Sequence, residues 1–228
     1  MKAEIRKIIA MILLVVFCAT AAITGIAVSA ASHTNAASTA TPDKAENSKP
    51  ALKDGVWQAV YEDGKQELFF INSEESSFSL IDPEYGIGVP SRYEYDSSTG
   101  IYKMQIAYEG NEERWRVIDN SDSAATVSNA QGDLITLYYL SNDTVDSFKY
   151  FTLYELCEMA KADYEANGGN TDKVVFSGKM IADGSLFAKI TGEKDGKTVA
   201  TYIIDMSTAA GTDGDNNRVD LSGYSVKQ

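Results

Sequence analysis

Asp213, Asp215, Asn217 and Asp220 stand close together near the C-terminus, with the side-chain oxygens that a calcium ion would accept. An EF-hand loop starting at Asp213 needs glycine at position 218 and glutamate at position 224, but the chain has Arg218 and Tyr224. The expectation is therefore a solvated acidic turn, with a loose surface calcium site as the alternative. Gly192 to Thr198, GEKDGKT, is one residue short of a phosphate-binding loop and lies between two strand patterns, so it reads as a hairpin. Gly86-Ile87-Gly88 lacks the alternating helix and parallel-strand context of a dinucleotide site. Glu74-Glu75, Glu112-Glu113 and Asp119 with Asp122 supply carboxylates, but acid and base work needs two of them fixed across a cleft with separated pKa values. The single histidine, His33, lies in a tract of small residues, which argues against a Ser-His-Asp centre or a histidine-rich zinc site. The expectation is no enzyme, with no catalytic residue, no metal and no cofactor; a metal-dependent hydrolase with carboxylate ligands is the remote alternative.

These groups belong to a chain of 228 residues with 20 basic and 33 acidic side chains, a net charge of -13 that disfavours nucleic acid as a partner. Lys2, Arg6 and Lys7 precede the uncharged run Ile8 to Ala31, and Val28-Ser29-Ala30 offers small residues for cleavage. Residues 1–30 read as a signal peptide, or as a membrane anchor if uncleaved, and both readings put the body outside the cytoplasm, secreted or held at the membrane. Cleavage removes those three basic residues and Glu4, leaving 17 basic against 32 acidic residues, a net charge of -15. Residues 31–53 are poor in large apolar side chains and read as a flexible linker. Cys18 falls in the export segment, so Cys157 has no partner for an internal disulfide and reads as a small buried hydrophobe.

Residues 54–144 are almost all strand signal. Eight short segments separated by turn residues at Asp63-Gly64, Asp96 to Gly100, Glu109 to Asn111 and Gly132-Asp133 predict a meander. In IYKMQIAY the residues Tyr102, Met104, Ile106 and Tyr108 share a face; in RWRV, Trp115 and Val117 oppose Arg114 and Arg116. With no helix nearby to cover the buried face, closure into a small antiparallel barrel is the simplest solution. Its interior is either packed or a pocket, and the candidate ligand-binding residues are Trp57, Phe70, Tyr102, Met104, Trp115 and Tyr139. Gly86 to Pro90, with Tyr85 and Arg92 beside it, reads as a plain turn, with a mouth loop as the alternative. Gly55-Val56-Trp57, followed by a hairpin and aromatic strands, resembles the opening of lipocalin-like and other calycin barrels. That resemblance implies a tryptophan packed across the closed end of the barrel.

Residues 145–228 open on a capping box, Thr152-x-x-Glu155, ahead of the apolar stripe Leu153, Leu156, Cys157, Ala160 and Tyr164, and Gly168-Gly169 ends the helix. Three strands follow, joined at Asp183-Gly184 and Asp195-Gly196. The fold class is thus mainly β: a small antiparallel meander barrel, then an α+β module with one helix on a three-stranded antiparallel sheet. Val174, Phe176, Leu186, Ala188, Ile190 and Ile203 are the expected contacts of sheet and helix. The run from Thr201 to Leu221, following that helix and those strands, resembles the closing part of a PepSY-like module of exported Gram-positive bacterial proteins, with Tyr202, Asp205 and Thr208 at the strand end and turn. The resemblance implies an envelope-associated role and carries over no functional residue.

The chain therefore reads as an exported, non-catalytic cell-envelope or secreted binding or accessory protein; a structural or protein-interaction component of the envelope is the alternative. The expected partner is a small apolar ligand if the barrel is hollow, or a peptide or glycan if aromatic residues are exposed. The membrane is a partner only through the N-terminal segment, if that stays uncleaved.

Overall fold

The computed structural model describes residues 50–105 and 112–224. The export segment, most of the linker, and Ile106 and Tyr108 of the predicted stripe lie outside the described residues.

Eight strands run β1 (Gly55–Tyr61), β2 (Gln66–Asn72), β3 (Ser77–Asp82), β4 (Ile87–Asp96), β5 (Ile101–Gln105), β6 (Glu112–Asn120), β7 (Ala124–Ser128) and β8 (Leu134–Ser141). Each pairs antiparallel with the next, and β1 also pairs with β8. The sheet is a closed barrel with no free edge, compatible with a lipocalin-like barrel.

Three barrel hairpins share one turn. Asn72, Asp82 and Asp96 pair across the turn with Ser77, Ile87 and Ile101, and the residue before each of these partners, Ser76, Gly86 or Gly100, has φ between +50° and +70°. In each turn the Asn or Asp side-chain oxygen accepts the backbone N–H two residues on, at 2.8–3.0 Å. Such a side chain satisfies the turn while the left-handed residue reverses the chain.

Inside and outside differ around the barrel. On β5, Tyr102 and Met104 are buried while Lys103 and Gln105 are exposed, the alternation of a sheet with one wet face. On β1 and β2 both faces are dry. Trp57, Ala59, Phe69 and Ile71 point inward, whereas Val56, Gln58, Leu68 and Phe70 point outward and are buried too. What covers them is the second half of the chain.

That half contains α1 (Leu153–Ala166), β9 (Val175–Met180), β10 (Phe187–Lys194), β11 (Lys197–Asp205), β12 (Ala210–Asp213) and β13 (Arg218–Asp220). The capping box forms: Thr152 Oγ1 accepts the Glu155 N–H at 3.2 Å, and Glu155 accepts the Thr152 N–H at 2.8 Å. The sheet has the order β13-β12-β11-β10-β9, so five strands stand where three are expected. The two extra strands come from the run AGTDGDNNRVD, which shows no apolar alternation because the strands are only four and three residues long and no residue of either is fully buried. Ile203 is a second correction. Tyr202, Ile204 and Met206 face the helix side and are buried, while Ile203 lies on the other face and is partly exposed. A strand apolar on both faces hides its own phase.

Cys157 lies buried on the helix stripe, as expected. Gly178 lets α1 sit close to the sheet: a Cβ there would stand 2.7 Å from Ile190 Cδ1 and 3.3 Å from Cys157 Sγ. Barrel and helix-sheet layer share one apolar core, in which Val56, Leu68 and Phe70 of the barrel wall meet Phe148, Leu156, Met180 and Ala188. Burying each of those three barrel side chains contributes roughly 1.5–3 kcal/mol. Gln58 and Gln66 add side-chain donations to the carbonyls of Ile181 and Met180, both at 3.1 Å.

Candidate functional site

Five of the six candidate ligand-binding residues lie together in the barrel. Trp57 and Trp115 have no accessible surface, Tyr102 and Met104 have almost none, and Tyr139 is half-buried against Trp57. The rings pack on one another: Phe69 on Trp115 at 5.2 Å between centroids, Tyr95 on Tyr102 at 4.4 Å, and Trp57 edge-on to Tyr139 at 5.0 Å. A void able to hold water would leave accessible surface on its lining, and Trp57, Trp115, Val127, Ile135 and Leu137 have none. The barrel is filled by its own side chains.

Phe70 is the sixth candidate, and it lies outside the barrel. Register pairs inward Trp57 with Phe69, so Phe70 points out and meets Phe148 at 5.6 Å. Two adjacent phenylalanines in a strand necessarily serve opposite faces, and the sequence does not say which faces inward.

The segment before β1 closes one end of the barrel. Leu52 is buried and its N–H donates to Tyr102 Oη at 2.7 Å, while Trp57 Nε1 donates to the Lys53 carbonyl at 2.9 Å. Lys53 Nζ stands 3.9 Å over the Tyr139 ring, a cation–π contact on the partner of the tryptophan. Toward the other end, Tyr61 donates to Glu67 and Trp115 Nε1 donates to Glu113 at 2.7 Å. Burial, then the charges of Glu67 and Glu113, push the Tyr61 phenol well above its ordinary range, so it serves as a neutral hydrogen-bond donor.

The other chemical candidates do not come together. Glu74 and Glu75 are exposed in a turn, and Glu112 engages Arg114 while its neighbour Glu113 turns to Trp115. Asp213 spends its carboxylate on its own loop, accepting from the N–H groups of Asp215 and Asn217 and from Asn217 Nδ2. These bonds lower its pKa. Among the described residues no three His, Cys, Asp or Glu side chains are grouped to hold a metal ion. Gly192–Thr198 forms the β10–β11 hairpin, with Asp195 and Gly196 both at positive φ.

Two outer features had no signal strong enough to single them out. An open groove of about 890 Å³ runs between the end of α1, β11 and the β12–β13 turn. At its base, buried Asp163 accepts from Tyr202 at 3.0 Å and Tyr224 at 3.2 Å, a pair of bonds that ties the helix to β11 and the C-terminal turn. Elsewhere Tyr85 and Tyr154 lie side by side on the surface, 6.0 Å between centroids with planes 34° apart. Tyr85 belongs to the β3–β4 turn, so Gly86 is a turn residue and Ile87–Pro90 begin β4. Tyr154 lies off the helix's apolar stripe, which is the one hint in the sequence that it faces water. No family model, curated protein or solved structure matches the chain.

Proposed function

We propose that this chain is an exported, non-catalytic accessory protein of the cell envelope or its surroundings, and that it binds through its outer surface. The observation that carries the reading is the full burial of Trp57 and Trp115 in a barrel packed by its own side chains, which leaves no room for the small apolar ligand of a hollow barrel. A peptide or glycan is then the partner class that exposed aromatic side chains fit, while the charge of -13 disfavours nucleic acid. The basic start and uncharged run of residues 1–30 support export. No helix among the described residues is long and apolar enough to cross a membrane. The helix followed by antiparallel strands supports the PepSY-like reading of residues 145–228. A purely structural envelope component is the second reading, favoured by the core that joins barrel to helix and sheet.

The test is titration of the exported protein with a long-chain fatty acid and with anilinonaphthalene sulfonate, following tryptophan emission and probe fluorescence. No saturable change is expected. One-to-one binding that quenches Trp57 and Trp115 overturns the surface-binding reading. Fusion of residues 1–53 to a reporter enzyme active only outside the cytoplasm tests export separately: an active reporter is expected, and an inactive one removes it.

A further inference from the structure

The Tyr85–Tyr154 pair combines two properties that a contact surface needs. Both rings are about half exposed, 54% and 48%, and Ile87 in the same hairpin is 54% exposed. They are also held in place before any partner arrives. The first two N–H groups of α1, at Leu153 and Tyr154, donate to the carbonyls of Pro83 and Glu84 at 2.9 and 3.0 Å, so the barrel turn itself caps the helix. Gly86 permits that approach; a Cβ there would stand 3.1 Å from Thr152 Cγ2. The backbones carrying the two rings are thus bonded to each other, and little ordering cost remains for binding.

Carboxylates flank the pair on both the turn and the helix. Asp82 and Glu84 flank Tyr85 in the turn, and Glu158 lies one helical turn beyond Tyr154 on the same face, exposed. The Glu84 carbonyl accepts the Tyr154 N–H, which places Glu84 at the start of the helix that carries Glu158. Glu84, with burial and Asp82 adding less, raises the Tyr85 phenol. Among the described residues no Lys or Arg stands within ion-pair distance of Asp82, Glu84 or Glu158. Asp82 and Glu84 share the lining of a pocket of about 550 Å³ with Lys65, which is paired with Glu67 at 2.9 Å, and with Lys179, which stands beyond ion-pair distance of both carboxylates.

We infer that this surface docks a cationic peptide segment, with a Lys or Arg side chain laid over the Tyr85 and Tyr154 rings and its charge facing Asp82, Glu84 and Glu158. Aromatic faces attract cations through their quadrupole, and carboxylates without a cation of their own complete the match. The inference rests on the surface-binding reading and names the partner class for it.

Fluorescence anisotropy of the full chain, purified after export, tests the site with three labelled probes: a peptide of alternating Arg and Gly, the same peptide with Glu for Arg, and a neutral N-acetylglucosamine hexamer. The Arg peptide is expected to bind and the Glu peptide not to. The double variant Y85A/Y154A changes no charge, so a loss of tenfold or more in Arg-peptide affinity reports the rings and not the long-range field. Glu84→Gln and Glu158→Gln are each expected to weaken binding severalfold and to flatten its salt dependence. Unchanged affinity in Y85A/Y154A overturns the inference while leaving surface binding intact. Ring-dependent binding of the hexamer in place of the Arg peptide overturns the cationic assignment, and binding of neither probe overturns the site. Failure of the surface-binding reading registers separately, as saturable fatty-acid binding. Near-ultraviolet circular dichroism of each variant confirms that its core is unchanged.

Discussion

Gly55 lies so close to Ser141 where the barrel closes that a Cβ on Gly55 would stand 2.2 Å from the Ser141 carbonyl oxygen. Its φ of +126° is also one that side chains rarely adopt. The glycine of Gly55-Val56-Trp57 thus brings β1 against β8, and Trp57, two residues on, fills the space enclosed. Gly55→Ala is expected to destabilise the fold by more than about 2 kcal/mol, because both the carbonyl and the backbone angle must give way. Urea unfolding followed by tryptophan emission checks this; a loss below about 0.5 kcal/mol would show that the closure tolerates a side chain.

Gln58 is fully buried between the barrel wall and Ile181; its Nε2 is bonded and its Oε1 has no partner. Gln58→Glu places a carboxylate in that dry joint, where burial raises its folded-state pKa above the unfolded value near 4.3. A raised folded pKa means stability that is present below the unfolded value and lost as pH rises through the folded one. The deficit relative to wild type should therefore be largest at pH 7, about 3 kcal/mol or more, and shrink toward pH 4. Parallel urea titrations at the two pH values measure it, and a deficit that grows on acidification would refute the assignment.

Where one face was wet the sequence could be read: the alternation of β5 and β6 gave the inward set Tyr102, Met104, Trp115 and Val117, and the barrel followed. Where both faces are dry the pattern carries no phase, so the sequence does not say that Phe70 faces out of the barrel or that Ile203 faces away from the helix. The candidate surface was harder still. Tyr85 and Tyr154 are 69 positions apart in the chain and meet only because a barrel turn caps a helix. Short-range spacing cannot report such a pairing.

Ser76 and Ala209 occupy the same left-handed turn position as Gly86 and Gly100, with φ of 50° and 58°, although each carries a Cβ. That conformation costs roughly 1–2 kcal/mol, against about 0.5–1 kcal/mol of added chain entropy for glycine. Ser76→Gly, at an exposed site, is expected to stabilise by about 0.5–1 kcal/mol. Ala209 is fully buried, so Ala209→Gly also gives up a methyl contact of about 0.8 kcal/mol and should be near neutral. The difference between the two urea midpoints is the readout; equal shifts would mean that burial of the Ala209 methyl contributes nothing.

The aspartates that organise turns give the protein an acid-sensitive element. Asp96 accepts from the hydroxyls of Ser98 and Thr99 at 2.6 and 2.8 Å, and these bonds lower its pKa to about 2. Asp183, Asp213 and Asp220 are lowered for the same reason, through Ser185, Asn217 and Ser222. A depressed folded pKa contributes stability that is present above the unfolded value, near 3.9, and lost as pH falls through the folded value. Asp96, Asp183 and Asp220 are exposed and Asp213 is only partly buried, so screening keeps each contribution small and the effect lies in their number. The thermal midpoint should hold down to about pH 4 and fall between pH 4 and 2, with the gap between wild type and Asp96→Asn closing over that interval as the wild-type carboxylate takes up its proton. A gap that stays constant from pH 5 to pH 2 would show that the charge on Asp96 adds nothing to its turn, and that the hydroxyl and N–H bonds would serve an amide equally well.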